Sequence, residues 1–159
     1  MTFPRDAGEL TAVFRPSAGN DSVTFPNGTV PRFVAPGSAT GERFGLFEWH
    51  MAGPRGERDS GHFHKTFSES FYILSGEVTL FDGREWVTAR QGDFLFVPEG
   101  GVHGFTNESD APASMLVLFT PGPAREKFFQ ELAEIRHSGR ELDEEEWAEL
   151  YARHDQYRA

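Results

Sequence analysis

The sequence predicts an all-β fold, an antiparallel β-barrel of short strands, followed by two α-helices. From residue 32 to about residue 120, short apolar runs are broken by Gly, Pro and Asp every eight to twelve residues, a rhythm typical of antiparallel sandwiches and barrels. Asp82-Gly83 separates two such runs, which is a strong signal for a two-residue hairpin turn. Beyond Pro121 the apolar residues recur at the spacing of one helix face.

Taken in order, the chain forms three segments of a single domain. Residues 1–31 carry scattered polar residues, glycines and prolines, which predict an irregular N-terminal arm. Residues 32–121 form the predicted barrel, and residues 122–159 form a helical extension. The clearest apolar runs of the barrel segment are Phe44–Met51, Phe71–Leu74, Val78–Phe81, Asp93–Val97 and Met115–Phe119.

The helical extension contains two helices. In the first, apolar residues from Phe128 to Ile135 share one face, and Ser138-Gly139 ends the helix. The second begins near Asp143, where Glu146 three residues later completes a capping box.

Composition excludes several classes of function. The chain has no cysteine, which rules out disulfides, thiolate nucleophiles and cysteine-based metal sites. A net charge of −10 argues against a nucleic-acid partner, since such binding depends on a basic surface. No run approaches the length of about 20 apolar residues that a bilayer span needs, and the N-terminus does not resemble a secretion signal. We therefore expect a cytoplasmic protein with a small-molecule substrate and no membrane partner.

Four residues form a candidate metal site. His62 and His64 are two positions apart, so on an extended strand both imidazoles face the same side. A turn then places Glu69 at the start of the next strand, within reach of the same ion, and His103 follows a Pro-Glu-Gly-Gly turn in a second segment. Three imidazoles and one carboxylate, with room for water or substrate, suit a catalytic metal ion.

The two segments around these residues resemble the two motifs of the cupin superfamily. The first is similar to G-x5-H-x-H-x4-E-x6-G, matched from Gly56 to Gly76, and the second to G-x5-P-x-G-x2-H-x3-N, matched from Gly92 to Asn107. Only residues 77–91 separate them, which is typical of compact single-domain cupins. The resemblance implies a cupin-type barrel, a double-stranded β-helix or jelly roll, with metal ligands His62, His64, Glu69 and His103.

The strand pattern is most similar to small cupins of the quercetin 2,3-dioxygenase type. This resemblance implies oxygenation of a flavonol or another enolisable aromatic molecule, with Glu69 as the catalytic base. The cofactor would be one divalent transition metal ion (Fe, Mn, Ni, Co, Zn or Cu). Two alternatives stay open, a metal-dependent isomerase, cyclase or dehydratase acting on a secondary metabolite, and a non-enzymatic small-molecule-binding cupin.

Side-chain alternation predicts the substrate pocket. Counting by two from Glu69 gives Phe71 and Ile73, and counting from His103 gives Phe105. Such a pocket favours an apolar or aromatic ligand, and the inward faces inferred from alternation contain no cationic clamp. The family resemblance also implies a homodimer. The apolar face of Phe47, Trp49 and Met51 suits either a barrel wall or a subunit contact.

Overall fold

A computed structural model describes residues 2–53 and 56–159. The strands are β1 (Val30–Ala35), β2 (Gly45–Met51), β3 (His62–Phe63), β4 (Ser68–Ser75), β5 (Glu77–Phe81), β6 (Trp86–Arg90), β7 (Phe94–Val97), β8 (Gly104–Thr106), β9 (Ala113–Thr120) and β10 (Tyr157–Arg158). The helices are α1 (Gly37–Thr40), α2 (Arg125–Ser138) and α3 (Glu144–Arg153), and a 3-10 turn covers Ser17–Gly19.

The strands form three antiparallel sheets. A five-stranded sheet has the order β1-β2-β9-β4-β7, a three-stranded sheet has the order β6-β5-β8, and β10 pairs with β3. The two larger sheets share the core, where Phe71 of β4 contacts Phe105 of β8 with ring centroids 5.7 Å apart. The predicted all-β antiparallel fold is confirmed, but among residues 2–53 and 56–159 the sheets do not close into one continuous hydrogen-bonded barrel.

One face of β2 forms an inner wall of the molecule. Its residues alternate between buried and half-buried, as expected for a strand with one face in the core. Phe47 and Trp49 lie on the buried face, and Phe129 of α2 packs edge-on against both, with ring centroids at 5.3 and 5.1 Å. Of the two roles considered for Phe47, Trp49 and Met51, the barrel wall is confirmed and the subunit contact is not, because these side chains are buried within the monomer. The homodimer itself stays a prediction.

Both predicted C-terminal helices are confirmed. Helix α2 ends at Gly139, whose φ of +69° is the left-handed conformation that favours glycine at this position. Helix α3 begins with the predicted capping box, in which Asp143 accepts a hydrogen bond from the backbone of Glu146 and the Glu146 side chain accepts one from Asp143. Among the residues described, no helix is long and apolar enough to cross a bilayer.

Gly76 and Gly92, which lie in connections between strands, differ in the space available for a side chain. Gly76, between β4 and β5, has a φ of +71°, and a Cβ there would lie 2.4 Å from the carbonyl oxygen of Pro112. Gly92, between β6 and β7, has a φ of +91° but has open space where a Cβ would be. The first position needs glycine for both conformation and space, and the second for conformation alone.

The strand pair β3–β10 was not predicted from the sequence. Tyr157 lies opposite Phe63 and Arg158 lies opposite His62. The segment after α3 therefore returns to the sheet beside the first candidate metal ligands, so helices and barrel are joined at the site itself.

Candidate metal centre

The four predicted ligands lie on neighbouring strands at one end of the core. His62 begins β3, His64 follows it, and Glu69 is the second residue of β4. His103 precedes β8 and pairs with His62 through two backbone hydrogen bonds, each 2.9 Å long. A pair that exchanges both backbone bonds places its side chains on the same face, and the two imidazole centroids are 4.3 Å apart.

The side chains of these residues converge. One ligand atom from each of His62, His64, Glu69 and His103 can be chosen so that all four lie within 4.8 Å of one another. His103, His64 and Glu69 are 0, 2 and 4% exposed, and His62 is half-buried. The Nε2 atoms of His64 and His103 lie 2.9 and 2.8 Å from the same carboxylate oxygen, Oε2 of Glu69. Imidazole nitrogens and carboxylate oxygens are the ligand atoms that transition metal ions take in proteins, so this cluster could hold a metal ion.

The hydrogen bonds of the Nδ1 atoms fix the tautomer and the orientation of the His64 and His103 rings. Nδ1 of His64 lies 2.7 Å from the backbone oxygen of Asp155, and Nδ1 of His103 lies 2.9 Å from that of Gly101. A carbonyl oxygen only accepts, so each Nδ1 carries a proton and donates it. In a neutral imidazole the Nε2 lone pair then faces a carboxylate oxygen. Two acceptors at this distance need a shared proton or cation, which makes the donor set a good fit for a metal ion.

The pKa values of the cluster follow from burial and from these contacts. Burial, followed by the charge of neighbouring His103, lowers the pKa of His62 to about 3, so its lone pair is free at neutral pH. Burial opposes charge on His103, but the Glu69 carboxylate outweighs it and raises the pKa of His103. Burial also opposes charge on Glu69, yet His103 and His64 hold the pKa of Glu69 well below its usual value. The raised pKa of His103 favours the protonated ring, whose Nε2–H can donate to the Glu69 carboxylate.

Comparison with known proteins agrees with this geometry. The family described as "Cupin domain" matches residues 49–119, which include all four candidate ligands. Residues 49–119 therefore form a cupin domain. Among curated proteins, this cupin is 34% identical over 82 residues to a quercetin 2,3-dioxygenase of Bacillus subtilis (strain 168), a match that covers 52% of the chain and 24% of the relative. It therefore spans about a quarter of that relative's length.

Solved structures share the fold at low sequence identity. The structure of KdgF from Halomonas sp. matches 73% of this cupin and 99% of its own chain, with a TM-score of 0.61 and 18% identity. A sugar phosphate isomerase from Silicibacter pomeroyi DSS-3 matches 67% and 74%, with a TM-score of 0.55 and 24% identity. At these identities the likeness concerns the fold alone.

A cavity of about 910 Å³ opens onto the candidate metal centre. His62 and Glu69 border it, and its walls come from both the sheet and the helices. The aromatic residues that line it are Phe25, Trp49, Phe105, Phe119, Phe128, Phe129, Trp147 and Tyr151. Much of this wall belongs to α2 and α3, so the helical extension forms part of the cavity.

The three predicted pocket residues lie at different depths. Phe105 lines the cavity. Phe71 and Ile73 are fully buried and are absent from its lining. They face the interior as alternation predicts, but β4 carries them past the metal centre into the packed core. Phe71 fills the space beneath the site, with its ring 5.9 Å from that of His103. The prediction of Phe71 and Ile73 as pocket residues is not supported. Alternation tells which side of the strand a side chain faces, but it does not tell how far from the cavity that side chain lies.

Sequence reasoning missed a buried cation in the same cavity. Arg125, the first residue of α2, is 4% exposed and lines the cavity with His62 and Glu69. Its guanidinium carbon lies 4.5 to 5.4 Å from the ring centroids of Phe67, Phe119, Phe128 and Phe129. Burial lowers the pKa of Arg125 to about 10, so it keeps its charge at neutral pH. The expectation of no inward cation is therefore wrong.

Asp155 was missed as well, and it fixes the turn between β3 and β4. Its carboxylate accepts hydrogen bonds from the backbone nitrogens of Lys65 and Thr66 and from the Thr66 hydroxyl. Its own backbone oxygen accepts the hydrogen bond from His64. Asp155 has a φ of +52°, an uncommon conformation that aspartate tolerates better than most residues. One residue of the C-terminal segment thus positions both the turn and a candidate ligand.

Proposed function

We propose that this cupin is a metal-dependent dioxygenase that acts on a flavonol-like or other enolisable aromatic small molecule. The observation that carries the proposal is a cluster of three imidazoles and one carboxylate, of which His62 and Glu69 border a cavity lined by aromatic side chains together with polar and charged ones. The aromatic part of this cavity is complementary to an apolar, planar substrate. The match to a quercetin 2,3-dioxygenase supports the same reaction class, although it covers 24% of that protein.

In this proposal His62, His64, Glu69 and His103 hold one divalent transition metal ion. Imidazole-rich sites suit several such ions, and the supply in the cell selects among them, so Fe, Mn, Ni, Co, Zn and Cu are all compatible. When bound, the ion would act as a Lewis acid toward an oxygen atom of the substrate. The carbonyl acceptors on the outer nitrogens of His64 and His103 keep their Nε2 lone pairs aimed at the ion.

Glu69 is the proposed proton acceptor for the substrate hydroxyl. Its low pKa keeps it ionised at neutral pH, and it borders the cavity, so a substrate can reach it. General-base catalysis by a positioned carboxylate contributes about 10² to 10⁴ in rate. The aromatic walls formed by Trp49, Phe105 and Phe129 would exclude water and orient the substrate ring.

Oxygen uptake tests this proposal. Elemental analysis of the purified protein identifies the ion, and the loaded protein is then assayed against a panel of flavonols with an oxygen electrode. We expect consumption of dioxygen that disappears after chelation. At equal metal content per protein, measured by elemental analysis because Glu69 is also a proposed ligand, the rate should fall at least about 100-fold in Glu69→Gln, which keeps the size of the side chain but removes the base. Turnover without oxygen would assign an isomerase, cyclase or dehydratase instead. A loaded protein that binds ligands but turns over none of them would be a binding protein.

A further inference from the structure

Arg125 makes no direct ion pair within residues 2–53 and 56–159, although the charges of Glu69 and Asp155 act on it from farther away. Within residues 2–53 and 56–159, its hydrogen bonds go to the backbone oxygen of His154, at 2.8 Å, and to Oε1 of Gln156, at 2.9 Å. Both are uncharged acceptors. No salt bridge to Arg125 is found in this part of the chain, and its buried Nε atom has no hydrogen-bond partner there.

Burying a guanidinium without an ion pair and with an unpartnered Nε–H lowers the stability of the free protein. A buried donor without a partner destabilises the fold, and a buried charged group does so more strongly. The four phenyl rings around Arg125 offset part of this through cation–π contacts, but they accept no hydrogen bond in the plane of the guanidinium. A simple role as a clamp between α2 and the C-terminal segment would explain the two existing bonds. It would not explain why the Nε–H of Arg125 has no hydrogen-bond partner, or why no carboxylate pairs directly with the guanidinium among the described residues.

The position of Arg125 suggests what completes it. The residue lines the same cavity as His62 and Glu69, and its charge acts on the pKa values of His62 and His103. A ligand in the cavity can therefore meet both Arg125 and the metal centre. The surrounding aromatic residues favour a ring as the body of that ligand.

We propose that Arg125 anchors the carboxylate of an aromatic substrate whose reacting part lies at the metal centre. This inference rests on the proposed function for the role of the cavity. A carboxylate suits the site because a single planar guanidinium matches its two oxygens. A phosphate dianion would bring a second negative charge beside Glu69, which also borders the cavity.

The test compares two probes that differ in charge and have nearly the same shape, benzoate and benzamide. Their dissociation constants are measured by calorimetric or NMR titration on the full chain, both metal-free and loaded with Zn²⁺. Because a charge-assisted hydrogen bond is worth about 1.5 to 3 kcal/mol, we expect the wild-type protein to prefer benzoate by about tenfold to 100-fold. Benzoate, unlike benzamide, should also shift the side-chain Nε–H resonance of Arg125.

Variants separate anion binding from a clamp. Arg125→Met should abolish the preference for benzoate, and Arg125→Lys should reduce it, because lysine keeps the charge but loses the planar fork. Gln156→Leu loosens the same clamp without removing the charge and should keep the preference. Arg90→Gln, which removes an exposed arginine paired with Glu77, is the matched charge control and should also keep it.

The outcomes separate this inference from the proposed function. Equal affinities for benzoate and benzamide in wild type, or a preference that survives in Arg125→Met, would overturn the anion anchor even if metal binds. If Arg125→Met does not fold, the wild-type comparison and Arg125→Lys still decide. A benzoate preference that depends on Arg125 in a protein that binds no metal would leave the anchor standing and reject the metal-dependent function.

Discussion

Replacing Asp155 with Asn should weaken metal binding, although Asp155 is not one of the four candidate ligands. The variant keeps the shape of the side chain and the tolerance of a positive φ, but it removes the charge that holds the β3–β4 turn. Three donors from Lys65 and Thr66 bind the carboxylate at distances from 2.7 to 3.1 Å. An amide can satisfy only part of this set, since its NH₂ group would face another donor.

The size of the effect follows from these bonds. A hydrogen bond to a charged acceptor contributes about 1 kcal/mol more than a neutral one. For three bonds, reduced because Asp155 is only partly buried, we expect a loss of about 2 kcal/mol in the metal-free protein. This corresponds to a decrease in Tm of about 4 to 8 °C for a chain of this length. The backbone oxygen of Asp155 also orients His64, and loss of such an outer contact lowers metal affinity by about 10- to 100-fold.

Thermal unfolding of metal-free protein and competition with a chromophoric chelator measure the two effects. Asp143→Ala provides the control, because it removes the N-cap of α3 at a cost of about 1 kcal/mol and contacts no candidate ligand. It should lower Tm and leave metal affinity unchanged. The reasoning would be refuted if Asp155→Asn bound metal as tightly as wild type, or if Asp143→Ala weakened binding equally.

Three further predictions concern the ligands and the turns. His62→Ala and His103→Ala should leave a folded protein whose metal content falls steeply, as measured by circular dichroism and elemental analysis; full occupancy in either variant would contradict the assignment. Because Glu69 raises the pKa of His103, metal binding near neutral pH should release a proton from His103, which calorimetry in buffers of different ionisation enthalpy detects. In the metal-free protein, the stability contributed by that proton is fully present below a pH of about 6.5 and is lost as pH rises through the higher folded pKa of His103. Gly76→Ala should destabilise the protein by several kcal/mol, whereas Gly92→Ala, with open space for its Cβ, should cost only about 1 to 2 kcal/mol; equal losses in Tm would show that backbone conformation alone matters.

The positions of the four candidate ligands could be predicted because the pattern that carries them is local. Alternation places His62 and His64 on one side of an extended segment, and short turns deliver Glu69 and His103 beside them. The hairpin at Asp82-Gly83 and the capping box at Asp143 also depend on residues close in sequence. The capping box was found as predicted. The hairpin also forms, but residues 82–85 separate Phe81 from its partner Trp86, so the predicted two-residue turn at Asp82-Gly83 is wrong.

The features that sequence reasoning missed depend on contacts between distant segments. Arg125 begins an amphipathic helix, where a charged residue usually faces solvent; it is buried because Phe67 and Phe119, from other parts of the chain, bring their rings over it. Strand β10 contains two residues, too few for any periodic pattern. The depth of Phe71 depends on how far β4 runs past the metal centre, which alternation does not encode.

The hydrogen bond between His64 and the backbone of Asp155 links residues 91 positions apart. Closing a loop of that length costs more entropy than closing a hairpin such as β5–β6. If the C-terminal segment undocked while the strands stayed paired, His64 would lose the acceptor that orients its ring and would bind an ion more weakly. An ion that binds more tightly when the C-terminal segment is docked also stabilises the docked state. Removing the ion with a chelator should therefore speed amide hydrogen exchange in β10 and α3 before it does so in the rest of the sheet.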